Sequence, residues 1–202
     1  MQETQNSDQH APETTVAVKC DSLRETSENL QEAFDLLGDF PEEIKKKYSP
    51  NFKDLPILGP FKYKSGHTYQ GQYKNGLKHG FGKQIFSDDS IYEGYWEEDK
   101  YSLWGRLIYV NGDSYEGEFK DNCAEGYGKY VSDDGNTYEG GWKKDLQFGS
   151  GKEVWEDGSF FEGEYLDSLK NGKGYFYWAD GSSYKGTFVK NDISGKGKEK
   201  KP

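Results

Sequence analysis

The chain has 202 residues, a net charge of -10 and a mean hydropathy of -1.06; 31% of its residues are charged and only 32% hydrophobic, half of those aromatic. So little Leu, Ile and Val cannot fill a conventional two-layer core, and apolar burial has to come from rings that cover one another. The acidic balance excludes a nucleic-acid surface and argues against an anionic membrane, no apolar run is long enough to span a bilayer, and the first residues lack the charged-then-apolar form of a secretory signal.

Residues 1–20 are polar, rich in Gln, Glu, Ser and Thr, and read as disordered on their own. A helix is predicted from Asp21 or Ser22 to Leu37, with Leu23, Leu30, Phe34 and Leu37 on one side and Gly38 as its stop. It packs either on its own chain or on a partner. A second, shorter helix opens at Phe40-Pro41-Glu42-Glu43, with the two acids four residues ahead of Lys46 and Lys47, and ends by Ser49-Pro50. Residues 51–58 read as a connector. Cys20 and Cys123 lie far apart in unlike contexts, which fits a reducing compartment better than a disulfide framework.

From Tyr69 the sequence repeats every 23 residues. Position 1 is Tyr69, Tyr92, Tyr115, Tyr138, Phe161 and Tyr184; position 5 is Tyr73, Trp96, Phe119, Trp142, Tyr165 and Phe188. Position 3 is Gly71, Gly94, Gly117, Gly140, Gly163 and Gly186, and position 14 is Gly82, Gly105, Gly128, Gly151, Gly174 and Gly197. Position 12 is glycine in every copy but the second, where Leu103 stands beside Trp104. Such a period denotes a stacked array of one supersecondary unit.

Aromatic-x-Gly-x-aromatic, then Gly-x-Gly, then a late Asp-Gly or Asn-Gly at this spacing resembles the MORN repeat. The resemblance covers six copies from Tyr69 to Gly197, and a leading half-copy with Tyr63 and Gly66 extends it to Gly59. It implies a mainly β fold: a single-layer, elongated antiparallel sheet of stacked hairpins over 59–197, behind a helical extension over 21–58 and ahead of a Lys-rich tail over 198–202.

The dipeptides at positions 20 and 21, Asn111-Gly112, Asp134-Gly135, Asp157-Gly158 and Asp180-Gly181, read as two-residue type I′ turns. That assignment pairs position 17 with position 1 of the next copy: Ile85 with Tyr92, Ile108 with Tyr115, Val131 with Tyr138, Val154 with Phe161, Tyr177 with Tyr184. It puts positions 1, 3, 5, 15 and 17 on one aromatic face and positions 2 and 4, rich in Glu, on a wet one. Asp89, where the other copies carry Gly, suggests a wider turn in copy one. Positions 6 to 13 read as the irregular linker. The array is expected to stop at Gly197 before its second strand, with lysines guarding an exposed edge.

Catalytic constellations are absent from the sequence. Asp88-Asp89 and Asp133-Asp134 fall at turns, so turn chemistry explains them better than paired carboxylates or metal ligation. His10, His67 and His79 show no zinc spacing. Gly80-Phe81-Gly82-Lys83 resembles a phosphate loop only superficially, since Gln84 stands where Ser or Thr is needed. No catalytic residue, cofactor or metal is expected. The resemblance implies a non-enzymatic protein-interaction scaffold in the cytoplasm, of the kind found in the cytoskeleton and the axoneme of cilia and flagella, such as radial-spoke head proteins. Its partners would be proteins of a large assembly, with self-association possible. The alternatives are a phospholipid-binding module on a membrane and a regulatory subunit of a separate enzyme. The expected contact is an exposed aromatic strip, Tyr92, Trp96, Tyr115, Phe119, Tyr138, Trp142, Phe161 and Tyr165, together with the apolar side of the first helix.

Overall fold

The computed structural model describes residues 38–201. The helix predicted over Ser22–Leu37, with Leu23, Leu30, Phe34 and Leu37, lies outside the described residues. Contacts divide the described residues into two compact units, 38–112 with Lys120–Asn122, and Asp113–Phe119 with 123–201.

Among its described residues the first unit opens with a short helix, α1 (Glu42–Tyr48), entered from Pro41 and continued by a single 3-10 turn, Ser49–Asn51. Acids in its first turn and lysines in its last complement the helix dipole. The ion pair that forms is Glu42 with Lys45, three residues on at 3.0 Å. The array follows as β1 (Ile57–Lys62), β2 (Thr68–Lys74), β3 (Leu77–Ile85), β4 (Ile91–Glu97) and β5 (Lys100–Ile108). Next come β6 (Ser114–Lys120), β7 (Cys123–Val131), β8 (Thr137–Lys143) and β9 (Leu146–Val154). The last four are β10 (Phe160–Leu166), β11 (Leu169–Tyr177), β12 (Ser183–Val189) and β13 (Asp192–Lys200). All thirteen belong to one antiparallel sheet in which strand order is chain order. The leading half-copy supplies β1 and the turn after it, where Gly66 N–H donates to the Tyr63 carbonyl at 3.0 Å.

The register differs by one residue from the sequence expectation. Position 1 pairs with position 16: Tyr92 with Gln84, Tyr138 with Tyr130, Phe161 with Glu153, Tyr184 with Phe176. The cause is the turn between copies, which has three residues rather than two. In the fourth copy's entry, Ser132 N–H donates to the Asn136 carbonyl at 2.9 Å and Gly135 N–H to the Ser132 carbonyl at 2.9 Å. Asp133 and Asp134 form a type I turn, and only Gly135 takes a positive φ, +79°. Copy one makes the same turn, because Asp89 itself adopts φ +68°.

The two-residue type I′ turns lie inside each copy, in the stretch expected to be an irregular linker. Asn75-Gly76 joins Lys74 to Leu77, and Lys144-Asp145 joins Lys143 to Leu146, with both turn residues at positive φ. Strands therefore begin at position 9, and β13 is a full second strand for the last copy, paired with β12 as far as Lys200. The expected stop at Gly197 is corrected accordingly. Side chains at these turns also bond back to the preceding copy, as when Asn122 Oδ1 accepts the Tyr101 N–H at 2.8 Å.

The core follows from the glycine pairs. Gly140 and Gly151 sit opposite each other, and a Cβ on Gly140 would come within 2.5 Å of the Gly151 Cα. The ring of Tyr138 covers the pair, its Cε2 2.6 Å from where a Gly151 Cβ would stand, and its hydroxyl donates to the Gly141 carbonyl at 3.0 Å. Tyr69, Tyr92 and Tyr115 donate likewise to the carbonyls of Gln72, Tyr95 and Glu118. Three of these rings meet position 5 of their own copy and the next edge to face: Tyr69 with Tyr73 and Trp96 in the first unit, Tyr115 with Phe119 and Trp142, and Tyr138 with Trp142 and Tyr165, in the second. Edge-to-face pairs of this kind add about 0.5–1.5 kcal/mol each beyond their buried area.

Candidate interaction surface

The glycine pairs settle which face is core, and the rings expected to form an open strip are in it. Tyr92, Trp96, Tyr115, Phe119, Tyr138, Phe161 and Tyr165 are 0–6% exposed. Trp142 is half-buried and donates its indole N–H to the Gly128 carbonyl at 3.1 Å. The expectation that water or a partner must cover these rows is corrected: neighbouring copies cover them. The apolar side of the first predicted helix, Leu23, Leu30, Phe34 and Leu37, lies outside the described residues.

The one-residue shift moves positions 15 and 17 to the other face, where position 15 pairs with position 2. In the first unit Glu93 stands between Lys83 and Arg106. In the second, Glu139 stands between Lys129 and Lys152, and Glu162 between Lys152 and Tyr175. A row of alternating sign thus crosses the strands, and opposite charges directly across a ladder each add a few tenths of a kcal/mol. Burial depresses the Lys83 pKa, opposed by the charge of Glu93.

In the first unit this face is covered by the chain's own residues. Positions 13 and 4, polar or small in most copies, are here Phe81, Tyr95 and Trp104. Phe40, 4% exposed, inserts among them, its centroid 4.8 Å from Phe81 and 5.0 Å from Trp104, both edge to face. Tyr48 and Phe52 add contacts to Tyr95, and Ser49 shares a 3.0 Å hydrogen bond with the Tyr95 hydroxyl. Arg106, 2% exposed, donates to the Gly38 carbonyl and to Glu93, both at 2.7 Å, with its guanidinium 5.3 Å from the Phe40 ring. Breaking so buried a pair costs about 3–5 kcal/mol.

In the second unit the same face is open. A shallow cavity of about 590 Å³ runs over Glu139, Lys152, Glu162 and Lys173, with Tyr127 58% exposed at its side and its hydroxyl bonded to Glu139 at 2.7 Å. A neighbouring one of about 580 Å³ reaches Tyr175, Lys185 and Thr187. Among the described residues no group of three or more His, Cys, Asp or Glu could hold a metal, and no helix is long and apolar enough to cross a membrane.

The family model for the MORN repeat matches residues 69–91, 115–137, 138–160, 161–183 and 184–202, more than half of the chain. The chain belongs to the MORN-repeat family. Copy two, residues 92–114, falls outside the match; it carries Leu103 and Trp104 yet forms the same two strands, β4 and β5. MORN repeats act as protein-interaction or membrane-binding modules and are generally non-catalytic. No curated protein matches the chain. Among solved structures, the TCP domain of SAS-4 (dCPAP) of Drosophila melanogaster, in complex with a proline-rich motif of Ana2 (dSTIL), is 15% identical with a TM-score of 0.38, over 65% of this chain and 71% of that one. A streptogramin B lyase structure is 13% identical with a TM-score of 0.19, over 73% and 55%.

Sequence reading missed the row at positions 2 and 15 and the Phe40 cradle. Both had a signal: Glu at position 2 and Lys or Arg at position 15 recur across copies, and position 4 is aromatic in the second copy alone, Tyr95, while position 13 is aromatic only in the first three, Phe81, Trp104 and Tyr127.

Proposed function

We propose that this MORN-repeat chain is a non-enzymatic scaffold for protein–protein interaction, and that its docking surface is the charged face of the second unit. The observation that supports this reading is the open row of alternating sign, Lys129, Glu139, Lys152 and Glu162, beside the exposed Tyr127 ring. Alternating charges select a partner by register and suppress wrong ones, and a uniformly anionic bilayer offers them no complement. The setting we propose is a cytoskeletal assembly, the axoneme of a cilium or flagellum, where arrays of this repeat act as spoke-head components.

Chemical cross-linking in the native cell, with wild type beside Glu139→Lys/Glu162→Lys, tests both parts. Axonemal proteins joined to the second unit in wild type, and about tenfold weaker capture by the folded double variant, about 1.4 kcal/mol, would bear the reading out. Capture unchanged by the reversal, or binding only to phospholipid vesicles, would overturn it.

A further inference from the structure

The charge row of the second unit ends in a mismatch. Lys198, at position 15 of β13, stands opposite Lys185 of β12, and Lys196 lies two residues before it on the same face. Among the described residues none of these three lysines has an acid within ion-pair distance. β12 borders β13 on one side, and no strand of the described residues borders it on the other.

The earlier copies show what a strand in that place carries. From one copy to the next, position 15 faces position 2, position 13 faces position 4 and position 12 faces position 5: Lys152 with Glu162, Ser150 with Glu164, Gly149 with Tyr165. The position-5 ring then packs edge to face on the position-1 ring of the preceding copy, as Tyr165 does on Tyr138 at 5.1 Å and Phe188 on Phe161 at 4.8 Å. It also reaches position 10 of that copy, where Lys78 Nζ lies 4.7 Å from the Trp96 ring. A Trp there adds a hydrogen bond, Trp142 Nε1 donating to the Gly128 carbonyl at 3.1 Å. Beside β13 the same groups lack that cover. Tyr184 meets a single ring, Phe188 of its own copy. Gly197 is exposed where the equivalent Gly128 is buried, and Ile193 at position 10 is 48% exposed where Ala124 is 5%.

A second folded copy of this chain does not offer the missing strand. The strands that carry positions 1 to 5 are β2, β4, β6, β8, β10 and β12, and each is already paired on both sides. β1 holds Gly59, one period before Gly82, so it has the character of a second strand, as β13 has. β13 against β13 would set lysines against lysines, which is unfavourable. We propose that the open edge of β13 binds an extended acidic segment of a partner protein by strand addition, in the order Glu-x-Glu-aromatic. The first acid stands opposite Lys198 and the second opposite Lys196, while the ring lies over Ile193 beside Tyr184. Main-chain hydrogen bonds supply the affinity, and the two acids and the ring fix the register. Trp is the best residue for the ring, because its indole N–H can donate to the Gly197 carbonyl. The lysines that keep the edge from pairing with its like thus select a partner of opposite charge. This edge is distinct from the charged face proposed above as a docking surface, and the two hold or fail separately.

The probe is a fluorescent peptide with the sequence of β6, SYEGEFK, beside a twin in which both glutamates are lysine. Anisotropy titrations of the full chain measure binding, and amide hydrogen exchange locates it. The first peptide should bind wild type and slow exchange within Asp192–Lys200. Lys196→Glu/Lys198→Glu should bind it about tenfold more weakly and should bind the lysine twin about tenfold better than wild type does. That gain for the twin also shows that the variant is folded. Replacing the peptide's Phe by Ser should weaken binding to wild type about tenfold, since the ring contact is lost. Four results would overturn the proposal: equal binding of each peptide to wild type and variant, slowed exchange in β1 or on the charged face in place of β13, no binding at about 1 mM peptide, or β13 amides already slowed before any peptide is added.

Discussion

The Asp145 carboxylate accepts the backbone N–H of Ala124 at 2.7 Å, and the Asp145 N–H donates in return to the Ala124 carbonyl at 3.1 Å. The same double link joins Asp99 to Lys78, Asn122 to Tyr101 and Asn191 to Lys170, always 21 residues apart. Each linking residue is the second of a type I′ turn, Asp145 at φ +66°. The side-chain bond thus repays a backbone conformation that costs an ordinary residue about 1–2 kcal/mol.

Asp145→Ala should lose both the bond and the tolerance of positive φ, about 2 kcal/mol in all, whereas Asp145→Gly should lose the bond alone, about 1 kcal/mol. Urea denaturation of the two variants checks this. Equal midpoints would show that the turn conformation carries no cost.

The hydroxyls at position 1 are not equivalent. Tyr138 donates to the Gly141 carbonyl at 3.0 Å, but the buried Tyr184 hydroxyl has no hydrogen-bond partner. Phe161 shows that a bare ring fits the same place. Tyr138→Phe should therefore destabilise by about 1 kcal/mol and Tyr184→Phe should be neutral or stabilising. Thermal melts giving the opposite order would remove the hydroxyl from the energetics of the core.

Leu103 occupies the bulge at φ +60°, where the equivalent Gly126 has φ +108°. Leu103→Gly should relieve that conformation and raise stability by about 0.5–1 kcal/mol. Gly126→Leu should lower it by more than 2 kcal/mol, because its Cβ would also stand 3.0 Å from the Glu118 Cβ. A stability loss in Leu103→Gly would mean that the half-buried Leu side chain contributes more than the strain costs.

Asp88, Asp157 and Asp180 sit at the turns between copies, and each has its carboxyl pKa lowered by hydrogen bonds from the serine two residues on; for Asp88 and Asp157 the serine hydroxyl and N–H both donate to one oxygen. A depressed folded-state pKa contributes stability that is present above the ordinary carboxylate pKa, about 4, and lost as pH falls through the lower folded value. Denaturation midpoints should hold from pH 7 to 5 and fall below pH 4. Ser90→Ala/Ser159→Ala/Ser182→Ala should flatten that acid limb; an unchanged limb would assign it to other carboxylates.

Lys198 of β13 pairs with Lys185 of β12, the one place where the described row sets two lysines opposite each other. Lys198→Glu should restore the alternation and stabilise by about 0.5 kcal/mol. Because β13 is the last strand, losing a lysine there should also raise the tendency to associate, which light scattering over a concentration series would detect.

The array was legible because one ring and two glycines recur at a fixed period, and the packing of Tyr138 over Gly140 and Gly151 needs just those residues. The turns were less so. Asp134-Gly135 has the composition of a type I′ dipeptide, but only its glycine needs a positive φ. Of the true type I′ turns only Asn75-Gly76 carries the expected glycine; Lys144-Asp145 and Glu98-Asp99 contain none, because side-chain bonds to the preceding copy support them. One residue of slip turns every partner to the other face. It hid the row of Lys129, Glu139 and Lys152 and made Tyr92 and Trp96 look available when they are buried in the core. The Phe40 cradle needed a tertiary contact between a helix flank and two particular copies, which no periodicity encodes.

Every strand lies beside the one that precedes it in the chain, and the double links from the type I′ turns to the preceding copy span only 21 residues. Ordering one hairpin therefore closes only a short loop of chain, and each further hairpin adds onto a template already formed. The sheet can start to assemble at any of its copies and grow in either direction, at a rate set by neighbours rather than by the length of the polypeptide.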